Sequence, residues 1–312
     1  FQNVNFRDIS CTMLMQMLTT GTTVLDGCTF TNVNASSSGH NSVIYNNYGT
    51  MNITDCTFTN CRAAFGVVTN HNAASTTNVI MNVRGCTFEN NYGYTEPGCI
   101  NNCGQLYVWN SIFNNNHAVW WAGAIHTHTN AKSVIRTSSF NGNTAGWNGG
   151  ALYTYANLEV YHSNFTNNNC SYPQGGGAIG ASNYFWASTA YNVLVDNCRF
   201  VDNNNLASGG NGGAIGAMNG GDLTLLGNTI AGDNAEIFVN QGKVISQINV
   251  TILENSTVVT SDGKCLVNAT VTDDMGNLIA DINGIKFVTE GAEVEAVYNA
   301  TTKVYEGLLV LP

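Results

Sequence analysis

The sequence predicts an all-β chain: a parallel β-helix with three short strands per coil over residues 1–243, then a small β-sandwich over 244–312. Three observations predict it. A phrase of the type Gly-Gly-Ala-aliphatic, Leu-x-Val, Ser/Cys-x-Phe and Asn recurs along the first region. Its anchors, Phe6, Phe30, Phe58, Phe88, Phe113, Phe140, Phe165, Phe200 and then Ile230, are separated by 24 to 35 residues. Fixed phrases with variable filler are the mark of a solenoid whose insertions fall in loops. Charged residues make up only 10% of the chain, against about 25% in ordinary domains. Amides, hydroxyls and glycine take their place, as suits stacked strands with side-chain ladders.

The copy from Gly149 to Phe165 shows the unit most clearly. Gly149-Gly150-Ala151-Leu152 opens one strand, and its counterparts are 98–100, 123–125, 176–179 and 212–215. In the first coils this strand is degenerate, and Cys11–Met15 and Ser42–Tyr45 stand in for it. Leu158 and Val160 alternate with polar residues, the period of a strand. Ser163 and Phe165 also point inward but are out of phase with Val160, so a corner falls between. Two residues after each anchor stands Asn32, Asn60, Asn90, Asn115 or Asn167, with Gly142 and Asp202 in other copies. These residue types tolerate a left-handed backbone. They mark a second corner, read here as an asparagine ladder bonded from coil to coil. Coils should stack about 4.8 Å apart.

Ten cysteines are present. Cys28, Cys56, Cys86 and Cys198 stand two residues before an anchor, where Ser111, Ser138 and Ser163 stand in other copies. A slot shared with serine predicts small, buried, reduced thiols, and no zinc-finger spacing is present. The net charge of −10, with ten Lys plus Arg, argues against nucleic acid. No apolar run is long enough for a transmembrane helix, so no membrane insertion is expected of this segment.

Cys86-Thr87-Phe88-Glu89-Asn90-Asn91 and Gly212-Gly213-Ala214-Ile215 resemble the repeats of the adhesin-like proteins of methanogenic archaea and related autotransporter-type proteins. The resemblance covers about residues 24–240. It implies a right-handed parallel β-helix on a cell surface and supplies no catalytic residues. Beyond residue 240 longer alternating strands appear, such as 265–272, 285–288, 294–298 and 305–310, at the spacing of a β-sandwich. Val271–Asn277 and Tyr298–Tyr305 are similar to bacterial Ig-like modules. The module is short of the ~100 residues such a sandwich usually needs and is read as incomplete. The chain starts inside a strand-like phrase, Phe1–Phe6, with no visible polar cap. Two unfinished ends lead to the expectation of either a slice of a longer chain or head-to-tail self-association into a filament.

The expected function is an extracellular cell-surface structural or adhesive protein that meets surface glycans or other cells. Sequons at Asn34, Asn52, Asn164, Asn169, Asn249, Asn255, Asn268 and Asn299 fit a glycosylated surface protein. The competing class is a polysaccharide lyase or glycoside hydrolase, which needs clustered carboxylates. The acids of residues 1–243 are scattered, so no catalytic residue, metal or cofactor is expected. His126 and His128 alternate on one strand. Two His at that spacing could share a metal, but with Tyr153 and Tyr155 one coil later they read as an exposed ladder of flat side chains. Trp120 and Trp147 align three residues before their Gly-Ala steps. Together these six residues form the candidate glycan-contact stripe.

Overall fold

The computed structural model describes the chain apart from residues 19, 72–78, 183–190, 233–236, 241–243, 247–248, 254–258, 261, 273–277, 281–284 and 311–312. The sequon at Asn255 and the expected turn at 273–277 lie outside the described residues. Two compact units are present, Phe1–Ile245 and Ser246–Pro312. Among the described residues every regular element is a strand.

The first unit is a parallel β-solenoid. Three ladders of nine strands each run along it. One carries the anchors: Phe6, Phe30, Phe58 and their successors pair in register down to Phe200 and Ile230. Their rings form one continuous stack, with centroids 4.6–4.9 Å apart and planes within 12° of parallel. A second ladder holds the Leu-x-Val strands, as in Leu106–Val108 and Leu158–Val160. The third pairs Ile44, Val68, Ile100, Ile125, Leu152, Ile179 and Ile215, with Met15 in the rung before Ile44. A fourth ladder, of six two-residue strands, runs beside the anchors. It adds to the three strands expected per coil. Its residues Tyr92-Gly93 and His117-Ala118 lie too close to the preceding corner to announce a strand by alternation.

Both predicted corners are present. His162 sits between Val160 and Ser163 with φ +48°, and Asn110, Thr137 and Asn197 do the same in their coils. Asn32, Asn60, Asn90, Asn115, Asn167 and Asp202 all take φ between +53° and +55°. The buried asparagine ladder, however, is built by the next residue along. Asn91, Asn116, Asn143, Asn168 and Asn203 are buried, and each of the first four donates from Nδ2 to Oδ1 of the next at 2.9–3.0 Å. Every Nδ2 also donates to the carbonyl of an anchor Phe in a neighbouring coil. The left-handed residue turns the chain so that its own side chain faces solvent and its successor faces the core.

All ten cysteines are free. In the slot before the anchors, sulfur and hydroxyl do the same work. The backbone N–H of Cys28 donates to Cys56 Sγ at 3.3 Å, and that of Ser138 donates to Ser163 Oγ at 3.1 Å. Ser138→Cys should therefore change unfolding stability by no more than about 1 kcal/mol. Equilibrium denaturation of the two proteins checks this.

The second unit holds a four-stranded antiparallel sheet in the order Asn249–Ile252, Lys264–Thr272, Val304–Val310, Val297–Asn299, and a hairpin of Lys286–Thr289 with Ala292–Glu295. Cys265, Val267, Ala269 and Val271 alternate into its core with Phe287, Tyr305 and Leu309.

Candidate functional site

The ladder headed by Ile44 to Ile215 positions the candidate site. Because side chains alternate along a strand, the residue after each core aliphatic points away from the core. Down the ladder these are Tyr45, Thr69, Asn101, His126, Tyr153, Gly180 and Gly216, in register. The direction agrees with the alternation in the sequence, but the expected exposure does not. His126 is 0% and Tyr153 4% exposed. His128 and Tyr155 are half-buried, and only Trp120 and Trp147 stand in solvent, at 40% and 43%.

The cause is a set of loops that fold back over this face before each Gly-Ala step. Asn148 lies so close to Gly180 that a Cβ there would overlap its Oδ1, and the same oxygen accepts the N–H of Gly176 at 2.9 Å. Trp121 covers His126, with ring centroids 6.0 Å apart, and lies parallel to Tyr153 at 6.5 Å. Glu96 reaches the same face from the preceding coil. Its backbone N–H is held by the Ala64 carbonyl at 3.1 Å.

Two neighbouring cavities result. The larger, about 310 Å³, is an aromatic cleft lined by Trp121, Trp147, Tyr153, Tyr155 and Tyr172, with the amides of Asn148, Gln174 and Asn219. Trp147 stacks on Tyr172 at 5.7 Å and meets Trp120 at 4.9 Å with the rings tilted by 45°. The Trp147 N–H donates to the Trp120 carbonyl at 2.8 Å, so the alignment read from the sequence places these residues in adjacent coils. Trp120 itself supports the rim through Trp147 and Trp121. Trp121 escaped sequence reasoning. Its signal was the Trp-Trp dipeptide: where one neighbour faces solvent, the other turns onto the sheet.

The second cavity, about 300 Å³, is lined by Glu96, Trp121, His126, His128, Thr129 and Tyr155. His126 Nδ1 lies 2.5 Å and His128 Nε2 3.5 Å from the same carboxylate oxygen, Glu96 Oε2. Burial alone would raise the Glu96 carboxyl, but His126, hydrogen-bonded to it, and the nearby His128 outweigh burial and hold it well below the usual carboxylate range. Burial, followed by the neighbouring His128, pushes His126 down to about 4 against the upward pull of Glu96. Nothing in the strand pattern pointed to Glu96, because its approach depends on a loop thirty residues earlier in the chain. The second cavity thus brings His126, His128 and Tyr155 together, while Trp147, Tyr153 and Tyr155 line the cleft beside it.

Of the described sequons Asn164 is exposed. Asn52 Oδ1 accepts from Asn82 Nδ2 at 2.8 Å, and Asn299 Oδ1 accepts two backbone N–H groups of its own turn. The side chain of Asn249 lies outside the described residues.

Comparison of the chain with protein-family models, with curated proteins and with solved structures finds no match.

Proposed function

We propose that this chain is an extracellular cell-surface protein that binds glycans without cleaving them, of the adhesin-like kind that its repeats resemble. In this reading the solenoid, wound right-handed around a three-stranded core per coil, is the stalk or head, and the second unit is an Ig-like spacer. The observation that carries the reading is the lining of the 310 Å³ cleft: five aromatic rings around three amides. Flat rings stack on the apolar faces of sugars, and amides both donate to and accept from their hydroxyls. Among the described residues that line this cleft there is no carboxylate, whereas glycoside hydrolysis ordinarily uses two. A shallow site of this kind binds weakly, and display in many copies raises its avidity.

A glycan array probed with the chain in multivalent form tests the proposal. The expected result is binding that falls at least about tenfold in Trp147→Ala, since large aromatic side chains dominate such contacts. Trp147 is half in solvent, so its removal leaves the core intact. Binding unchanged by the substitution would remove the cleft from the proposal. Release of reducing ends or unsaturated products from a polysaccharide panel would replace binding by cleavage. Head-to-tail self-association belongs to the same reading. Sedimentation of the 312-residue chain at high concentration tests it, and a clean monomer would sink that part.

A further inference from the structure

The cavity beside the aromatic cleft carries a second, independent assignment. Among the described residues, several buried side-chain polar atoms have no hydrogen-bond partner. Two of them, His126 Nε2 and His128 Nε2, belong to side chains that line this cavity. Buried polar groups are almost always partnered, and leaving one unpaired costs about 1–3 kcal/mol. An unpartnered nitrogen on each of two imidazoles in one cavity leaves both rings with bonding capacity that a ligand can use.

The ligand set says what that is. His126 and His128 stand two apart on one strand, with ring centroids 4.2 Å apart, and both face Glu96 Oε2. Atoms bound to one zinc-like ion at about 2.1 Å with tetrahedral angles lie roughly 3.4 Å from each other. The His128–Glu96 spacing of 3.5 Å matches this. The His126–Glu96 spacing of 2.5 Å is that of a direct hydrogen bond, which must open by just under an ångström to admit an ion. The strand is rigid. Its rung is paired to both neighbours, and the His128 N–H is held by the Asn102 carbonyl at 2.8 Å. Glu96 and His128 are 12% and 25% exposed at the side chain, so solvent reaches the edge of the site although His128 Nε2 itself is buried.

We propose that Glu96, His126 and His128 bind one divalent transition-metal ion of the zinc type, leaving at least one coordination position open toward the 300 Å³ cavity. Two imidazoles with one carboxylate favour zinc, cobalt, nickel or iron over calcium and magnesium, which prefer all-oxygen shells. The assignment is independent of glycan binding.

The test uses the full chain, stripped with a chelator and titrated with Co²⁺ and then Zn²⁺. One equivalent of Co²⁺ should bind with Kd on the order of micromolar or tighter. It should give a d–d spectrum without a thiolate charge-transfer band, be displaced by Zn²⁺, and resist millimolar Ca²⁺ and Mg²⁺. Glu96→Gln keeps the side-chain shape, and His128→Ala removes a half-buried ring, so both should fold; each should weaken binding by about 100-fold or more, since even outer partners of ligands are worth 10–100-fold. His117→Ala, whose ring bonds Thr144 outside the cavity, should bind as the parent does. A metal-dependent rise in melting temperature, lost in Glu96→Gln, gives a second readout. The proposal is overturned by failure of the parent to bind, or by binding that survives both substitutions. A thiolate band would overturn the ligand set by bringing in a cysteine such as Cys103, which occupies the ladder position one coil before His128.

Discussion

Asn168→Ala should lower the stability of the solenoid by about 3–5 kcal/mol, and Asn167→Ala, one residue earlier, by only about 1 kcal/mol. Asn168 is buried within the ladder, bonded to a rung on either side. Its Nδ2 donates to the Phe140 carbonyl and to Asn203 Oδ1, and its Oδ1 accepts the N–H and the Nδ2 of Asn143, all at 2.9–3.0 Å. Truncation leaves several of these groups buried without a partner and opens a small void beside the phenylalanine stack. Asn167 is exposed and serves the turn through its backbone, at φ +55°. Alanine there meets only the ordinary cost of a left-handed conformation. Because coils of a solenoid can unfold locally, hydrogen exchange at residues 140–170 should accompany denaturant melts of both variants. Equal losses, or the reverse order, would refute the ladder assignment.

This pair of residues also shows how far the sequence can be read. The period of the anchors, the inward phase of Leu158, Val160 and Phe165, and the corner at His162 all follow from alternation and repetition, which are local properties. The ladder was legible as a feature but not to the residue, because each Asn-Asn pair offers two candidates and only the turn decides which faces the core. The site was less legible still. Alternation gave the direction of His126 and Tyr153 correctly, while their burial depends on loops from other coils. One sign of those loops was present: Gly180 and Gly216 occupy the outward slot that holds His126 and Tyr153 in earlier coils. A glycine within a strand marks close approach of another backbone, and here the loop carrying Asn148 lies against it. Glu96 had no such sign, since a lone acid in a loop announces no partner.

The second large effect belongs to a glycine that needs no unusual backbone angle. Gly150→Ala should cost about 3 kcal/mol or more, at the upper end of overpacking, whereas Gly209→Ala should cost about 1 kcal/mol. In sequence both are members of Gly-Gly pairs. In the structure Gly98, Gly123, Gly150 and Gly177 form a column, and a Cβ on each would overlap the carbonyl oxygen of Gly123, Gly150, Gly177 and Gly213 respectively. At Gly150 the new atom would also lie 2.6 Å from the backbone N of Asn169. Neither obstacle is a flexible side-chain tip, so the coils must part. That strains the bond from the Gly150 N–H to the Gly176 carbonyl, now 3.2 Å. Gly209 sits at φ +69°, and a Cβ added there would meet no atom within 4 Å, so only its backbone conformation is penalised. The column lies directly beside the loops that carry Trp121, Trp147 and Asn148 over the ladder. Parting the coils at Gly150 should therefore loosen the aromatic cleft as well, and Gly150→Ala should lose the glycan binding proposed for it at temperatures where the chain is still folded. Thermal melts of the two glycine variants, read together with array binding, check both halves. If Gly150→Ala melts with the parent, close coil contact is not what the repeated Gly-Ala step is for.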